Sequence, residues 1–401
     1  MSSPQTERPS LSLCLIARNE EANIARALGS VRPWVDQMVV VDTGSTDRTV
    51  QIARELGAEV YHHEWSHDFA AARNASLEHA RGDWLLVMDA DEELDQESAP
   101  LLRPSLAAAD CDCLLLEILQ LSRDGAHTLQ MVPRLLRNRA GIRFQGLVHE
   151  YPVGGDGRAL RSRVRLVHHG FVQAPEVLEA KARRNLELVR RWLRQEPHNL
   201  EARIYQAQSL MALPDQAGEA LDAARKALAL AQEQGAAAEQ WPRIYHPLLM
   251  ALTRLGRVDE VAASARRCLE LLPDYPDPLY SLTWAEVRRG QWEEVCRAAR
   301  RFSVLQKRWR EFPEQYPYTQ NLTLNLGAVV MRRWLAAALQ LDWEAEVREV
   351  FTRLLEEPAA EPEVRRVLKG LAWAKKTALA QELAAQAARR HPHWRWLPAS
   401  A

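Results

Sequence analysis

The chain has 401 residues, with 52 Lys+Arg against 53 Asp+Glu, and 47% of its residues are hydrophobic. That length exceeds one ordinary core, so two or more domains are expected. The near-zero charge balance excludes a strongly basic nucleic-acid binder, and the apolar fraction excludes a disordered chain. Cys14, Cys111, Cys113, Cys268 and Cys296 form no C-x-x-C pair and no zinc spacing, which points to reduced thiols in a cytoplasmic protein. Met1 to Ser10 is polar, is expected to be disordered, and has no apolar leader behind it. No transmembrane segment is expected, because no stretch approaches the ~18 apolar residues of a membrane span.

Leu11 to Ala17 reads as a buried strand, and Asn19-Glu20-Glu21 opens a helix through about Leu28 with acids suited to its dipole. Gln37 to Asp42 is a second buried strand. It ends in the polar turn Asp42-Thr43-Gly44-Ser45-Thr46-Asp47, which leads into a helix through Leu56. Glu59 to Trp65 returns as a third strand. His67 to Ala80 follows as a helix in which Phe69, Ala72, Leu77 and Ala80 face the sheet while Arg73 and Asn74 point elsewhere.

The run Leu85-Leu86-Val87-Met88 then ends in Asp89-Ala90-Asp91-Glu92. In an extended chain, residues i and i+2 point to the same side, so Asp89 and Asp91 can address one ligand together. Oxygen ligands at a strand end suit a hard divalent cation, Mg²⁺ or Mn²⁺, which in turn can hold a diphosphate. The β-α alternation implies a mostly parallel, right-handed sheet with helices on both faces. It aligns three strand ends, near Ala17-Arg18, Asp42 and Asp89, on one edge, where open α/β sheets bind ligands. An α/β domain without a site has no need of polar clusters at each of these ends.

From Cys111 the pattern turns to strands. Cys111 to Leu121 and His127 to Leu136 flank a hairpin signal at Arg123-Asp124-Gly125. Ile142 to Glu150 reads as extended, Gly154 to Gly157 as a loop, and Val164 to Phe171 as a strand carrying His168-His169. From about Pro175 onward the chain is helical. Gly256 and Gly290 recur 34 positions apart in matching surroundings, which is the tetratricopeptide period. A degenerate unit is expected over Leu200 to Leu230, with further irregular ones around Trp334 to Leu355 and Glu363 to Arg390. The basic stretch Arg297 to Arg310 reads as a solvated helix face.

The motifs CLIARNEE at 14–21, VVVDTGSTDRT at 39–49, DFAAARNASLEHARGDWLLVMDADEEL at 68–94, RFQGLVHE at 143–150 and VHHGF at 167–171 occur in this order. Residues 11–171 thereby resemble a family 2 glycosyltransferase of the GT-A fold, and the whole chain resembles its tetratricopeptide-containing branch. The similarity extends to peptide S-glycosyltransferases and lipopolysaccharide core glucosyltransferases, which share the V-H-E and H-x-G elements. The resemblance implies an α/β GT-A domain over 11–175 and a helical repeat domain over 176–401.

It also implies roles. Ala17, Arg18 and Glu20 approach the nucleotide, and Asp42 accepts from the base, usually a uracil imide. Arg73 lies near base and diphosphate, Asp89 reaches the ribose, and Ala90, between it and Asp91, also lines the nucleotide sugar. Asp91 is the metal ligand that bridges both phosphates, His168 is a further metal ligand, and Phe171 stands where tyrosine is common. Glu150 is the expected general base, with Glu92 and Glu93 as rival acids and an ion pair to an arginine such as Arg143 as its structural alternative.

The implied enzyme is an inverting hexosyltransferase. It moves a sugar from a UDP-sugar to a protein, peptide or glycan acceptor, assisted by Mn²⁺ or Mg²⁺, with the helical repeats holding the acceptor. Two other readings compete. A nucleotidyltransferase would need a glycine-rich, basic triphosphate loop after the first strand, where ARNEE at 17–21 supplies no glycine and two acids. A non-catalytic repeat scaffold, with an inactive sugar-nucleotide-binding domain, would leave the acids at the strand ends without a purpose.

Overall fold

The computed structural model describes residues 8–121, 127–138, 141–170, 175–238, 240–312, 322–323, 326–357, 360–394 and 396. The hairpin tip Arg123-Asp124-Gly125 and Phe171 lie outside the described residues. The chain divides into two compact units, Met1–Leu213 and Pro214–Ala401.

In the first unit β1 (Leu11–Ala17), β2 (Gln37–Asp42), β3 (Glu59–His62) and β4 (Trp84–Asp89) alternate with α1 (Ile24–Val31), α2 (Thr49–Glu55) and α3 (Phe69–Glu78). After β4 come β5 (Glu92–Leu94), α4 (Leu102–Ala108), β6 (Cys113–Leu121), β7 (His127–Arg137), β8 (Arg143–Gln145), β9 (Tyr151–Val153) and β10 (Ala159–His168). The main sheet has the order β3-β2-β1-β4-β7-β6-β10-β5, and β8 pairs with β9 in a separate ribbon. Six strands of the main sheet run one way; β7 and β5 run the other. The sheet is therefore mostly parallel, as the alternation predicts.

Period-two alternation divides the core between the two sheet faces. Leu13, Leu15, Val40, Leu86 and Met88 pack with Ile24 and Leu28 of α1. Cys14, Val39, Leu85 and Val87 pack with Ala70 and Leu77 of α3. Strands buried on both faces need continuous apolar runs, and each such side chain contributes about 1.5–3 kcal/mol when fully buried. Burial also pushes the Cys14 thiol up to about 12, so it is packing material rather than a nucleophile.

Several expected boundaries shift. The expected strand 59–65 stops at His62, and the expected extended stretch 142–150 does not run through. Gly146 at φ 102° and His149 at φ 54° turn the backbone instead, and only Arg143–Gln145 pairs, with Tyr151–Val153. The last strand begins at Ala159 rather than Val164. The three-residue β5 pairs with its far end, setting His168 opposite Glu92.

The change to helix comes at α5 (Pro175–Gln195), followed by α6 (Leu200–Met211), while the compact unit closes at Leu213. Leu188, Val189, Trp192 and Leu193 of α5 and Ala202 of α6 form one cluster with Val148, and Phe69, Leu147 and Tyr151 pack against it. The ring of His149 stacks on Tyr205 with centroids 4.3 Å apart.

The second unit comprises α7 (Ala217–Gln234), α8 (Gln240–Arg254), α9 (Val258–Leu271), α10 (Asp277–Arg289), α11 (Trp292–Glu311), α12 (Gly327–Gln340), α13 (Glu344–Leu354), α14 (Ala360–Trp373) and α15 (Thr377–Arg390). The expected unit over 200–230 is thus split between α6 and α7. The helix pairs α8/α9, α10/α11, α12/α13 and α14/α15 close with one turn. Each has a left-handed residue, Gly256, Gly290, Asp342 or Lys375. The next amide then bonds back to Leu252, Glu286, Ala338 or Leu371, the Schellman closure of a helix end. Successive units are stitched at a separation of 34 residues by Arg348–Glu382, Lys376–Asp342 and Gln386–Thr352. These are tetratricopeptide-like helical hairpins. Among the described residues no helix is long and apolar enough to cross a membrane.

Candidate active site

Register builds the site's edge. Ala17 lies beside Asp42 on one side, and Ile16 lies beside Asp89 on the other, so the ends of β2, β1 and β4 stand in a row. The turn after β1 is tied to the turn after β2. Ala17 O accepts from Thr43 N at 3.0 Å, Asn19 Oδ1 accepts from Thr46 N at 2.8 Å, and Glu20 N donates to Thr49 Oγ1 at 2.7 Å. Asp42 is buried and accepts from Gly44 N and Ser45 N at 3.2 and 3.1 Å, with His62 Nδ1 at 3.2 Å. Arg18 is exposed and Ala90 is buried.

Arg73 does not point away from the sheet. It is buried on α3 beneath the edge, and each of its three nitrogens meets an acceptor. Nε donates to Glu150 Oε1 at 2.8 Å, Nη1 to Met88 O at 3.0 Å, and Nη2 to Asp89 Oδ1. Its neighbour Asn74 bonds reciprocally with Phe144, donating to the carbonyl at 3.0 Å and accepting from the amide at 2.8 Å. Thus α3 holds both β8 and the following turn that carries Glu150. The arginine that pairs with Glu150 is Arg73; Arg143 instead bonds Ile142 O.

A residue not anticipated from the sequence closes this network. Arg134 Nη2 donates to Asp89 Oδ2 at 2.7 Å and to Glu92 Oε1 at 2.6 Å. Glu92 Oε2 in turn accepts from Asp89 N at 2.9 Å. Leu135 pairs with Leu114 and Pro133 with Leu115, so Arg134 is the extra residue of a β-bulge. Bulges re-aim side chains, and this one turns Arg134 onto β4. A signal was present: proline inside a strand is confined to edges and bulges, and Pro133 precedes Arg134.

The chain Glu150–Arg73–Asp89–Arg134–Glu92 therefore alternates in sign. Burial opposes the Asp89 charge, but Arg73 and Arg134 outweigh it and hold the carboxyl far below the usual range. Burial dominates at Glu92 and pushes its carboxyl up, against the pull of Arg134. Both oxygens of Asp89 are taken by arginines, whereas Asp91 faces a different group.

Asp91 Oδ1 lies 3.3 Å from His168 Nε2, and Oδ2 lies 3.6 Å from Lys181 Nζ of α5. His169 N donates to Asp91 O at 3.0 Å, and its ring sits 3.1 Å from Glu93. Burial disfavours the Asp91 charge, but the His168 contact lowers its carboxyl overall. The same contact raises His168 against its own burial. Glu20 is pushed up by burial and by Asp91.

Gly170 completes the pocket. A Cβ there would lie 2.6 Å from His168 Nε2 and 2.7 Å from Asp91 Oδ2, so any side chain at 170 would displace the imidazole or the carboxylate. Among the described residues no three His, Cys, Asp or Glu side chains gather to hold a metal. One carboxylate and one imidazole fit a cation that takes its remaining ligands from a bound diphosphate and water, the habit of Mg²⁺-type sites.

A mostly parallel sheet with an acidic strand-end edge and helices on both faces defines an α/β domain of the GT-A type. Residues 12–162 match the family described as Glycosyl transferase family 2; this stretch is a family 2 glycosyltransferase domain, followed by tetratricopeptide-like helices. A TPR repeat-containing protein of Synechococcus elongatus is 45% identical over 141 residues, covering 35% of this chain and 34% of its own. The SPbeta prophage-derived glycosyltransferase SunS of Bacillus subtilis is 26% identical over 232 residues, 56% of this chain and 54% of its own. The chain thus spans about a third to about half the length of these curated relatives. The crystal structure of TarS of S. aureus shares 15% identity over 60% of this chain and 53% of its own, with a TM-score of 0.34.

Proposed function

We propose that this chain is an inverting, metal-assisted hexosyltransferase. It moves a sugar from a nucleoside-diphosphate sugar, with a UDP-sugar as the donor, to a protein, peptide or glycan acceptor. The observation that carries the reading is the acidic edge inside a family 2 domain. Asp42, Asp89 and Asp91 end two adjacent-register strands, Glu20 follows the strand between them, and β10 brings His168 to Asp91. Five unpaired thiols fit a reducing, cytoplasmic setting.

In this reading Asp42 accepts from the base, and Ala17, Arg18 and Glu20 line the nucleotide. Asp91 and His168 would hold the divalent cation, Mn²⁺ or Mg²⁺, whose chemistry is to neutralise charge on the departing diphosphate. Asp89, held by two arginines, anchors the turn through Ala90 that presents Asp91, with its ribose contact secondary to that anchoring. Glu150 is fixed at Oε1 by Arg73 and takes the acceptor's proton at Oε2, as the acceptor oxygen or sulfur attacks the anomeric carbon. One in-line displacement inverts that centre. The helical hairpins contribute no chemistry; they offer the acceptor an extended surface.

The test is a nucleotide-sugar panel read by calorimetry and by donor hydrolysis, with Mn²⁺ and with EDTA. A uridine nucleotide sugar should bind with the cation present and lose most of its affinity with EDTA. Equal affinity in EDTA would remove the metal from the proposal, and no binding across the panel would remove the donor.

A further inference from the structure

Lys181 lies in α5, outside the 12–162 stretch that matches the family. The helix nevertheless belongs to the same compact unit as the sheet, and its apolar face is fastened beside Val148, two residues before Glu150. From this platform Lys181 reaches the acidic edge, with Nζ 3.6 Å from Asp91 Oδ2. Its side chain is 35% exposed and that of Asp91 13%, so the ammonium stands at the mouth of the pocket. Its charge also bears on Glu20 from the first strand end, where it opposes the rise caused by burial and by Asp91. Lys181 thus stands among carboxylates from two strand ends.

An ordinary surface ion pair does not account for this placement. Asp91 already has a partner in His168, on its other oxygen. A separation of 3.6 Å is also longer than the roughly 2.7–2.9 Å of a charge-assisted N–H···O bond, so the ammonium is not locked there. Lysine carries three donors on a flexible four-carbon stem and can move a short way to a new anion. The charges around the pocket favour such a move. Asp91 and Glu20 are acidic, the donor adds a diphosphate, and Arg73 and Arg134 are already committed to Asp89, Glu92 and Glu150. An anionic ligand here needs a further cation from the protein.

We infer that Lys181 is a ligand of the donor's diphosphate, resting on Asp91 in the free chain and donating to diphosphate oxygens in the complex. The inference rests on the nucleotide-sugar reading of the site and adds to it a residue from the helical part of the chain. During transfer the bond from the anomeric carbon to the diphosphate oxygen breaks, and its electron pair stays on that oxygen. The acceptor's bond to the same carbon forms while its proton goes to the base. Lys181 stabilises the charge left on the diphosphate and takes no part in the proton transfer.

The experiment compares UDP with uridine on the full chain in Mn²⁺, using calorimetry for UDP and ligand-observed NMR for uridine, with wild type, Lys181→Met and Lys181→Arg. A lost charged hydrogen bond lowers UDP affinity roughly tenfold to a hundredfold. Lys181→Met should show that loss while its uridine affinity and melting temperature stay at the wild-type values. Lys181→Arg should recover part of the UDP affinity, and the dependence of UDP binding on salt should be shallower in Lys181→Met. UDP binding unchanged in Lys181→Met overturns the inference while leaving the nucleotide-sugar reading intact. A parallel loss of UDP and uridine overturns it as well, since it would mark a structural role. Failure of wild type to bind either ligand would remove the underlying reading and this inference together.

Discussion

Arg134→Met tests whether the buried charge network holds the edge together. Methionine keeps most of the stem's volume and removes the guanidinium that serves Asp89 and Glu92 at 2.7 and 2.6 Å. Glu92 is 2% exposed at its side chain and Arg134 11%, so this is a buried pair. Breaking one by deleting a partner costs about 3–5 kcal/mol, because the remaining charge is left uncompensated. The pH dependence follows from Glu92. Burial already holds its carboxyl above the ordinary range, against the pull of Arg134, and the substitution raises it further. Stability from an acid whose folded pKa is raised is fully present below the unfolded value, ~4.3 for glutamate. It is lost as pH rises through the folded value. The deficit of Arg134→Met should therefore be largest near neutral pH and shrink on acidification. Calorimetric unfolding of the full chain at about pH 5 and pH 8 reads this directly, and adding Glu92→Gln should restore about 1–3 kcal/mol. A deficit below about 1 kcal/mol, as for an exposed pair, or one that is equal at both pH values, would refute the reasoning.

Glu150→Gln should leave donor affinity nearly intact and lower kcat by roughly 10²- to 10⁴-fold on a hydroxyl acceptor; steady-state kinetics with near-wild-type turnover but a lowered melting temperature would mark Glu150 as the partner of Arg73 alone. A chain ending at Leu213 keeps Lys181 and the α5 cluster, so calorimetry should find nucleotide affinity close to that of the full chain. Its turnover on a macromolecular acceptor should fall, and equal turnover would take α7 to α15 out of acceptor recognition.

Much of the edge can be read from local pattern. β1, β2 and β4 are continuous apolar runs that end in polar residues, and parallel topology then aligns those ends. Arg73 could not be read this way, because an arginine among alanines on a helix ordinarily faces solvent. It is buried here only because Glu150, Asp89 and Met88 converge from three distant segments. The three-residue β5 is too short to show a period. Its pairing with β10 depends on a strand some seventy residues later, so the His168–Asp91 contact is invisible locally. The turn at His149 was hidden because a non-glycine residue adopts φ 54° there. The same holds in the helical hairpins. Gly256 and Gly290 announce their turns, whereas Asp342 and Lys375 make the equivalent closure without glycine.

The bulge at Arg134 also constrains how the first unit assembles. Strands β6 and β7 form a hairpin of long register, whereas β7 meets β4 only through Trp84–Arg137, Leu85–Leu136 and Leu86–Leu135. The parallel half and the hairpin can each form from local contacts, so the short seam between them is the long-range step. Two leucine pairs and one Trp–Arg pair distinguish poorly between neighbouring alignments, since a two-residue slip keeps every side chain on its own face. Arg134 removes that ambiguity, because a slipped hairpin would leave Glu92 buried without its cation and Asp89 with Arg73 alone. Removing the residue outright would differ in kind from replacing it. A deletion at 134 joins Pro133 to Leu135 and closes the bulge, so the preceding residues of β7 keep their partners on β6 and their faces, while the edge loses both the guanidinium and the kink that aims it.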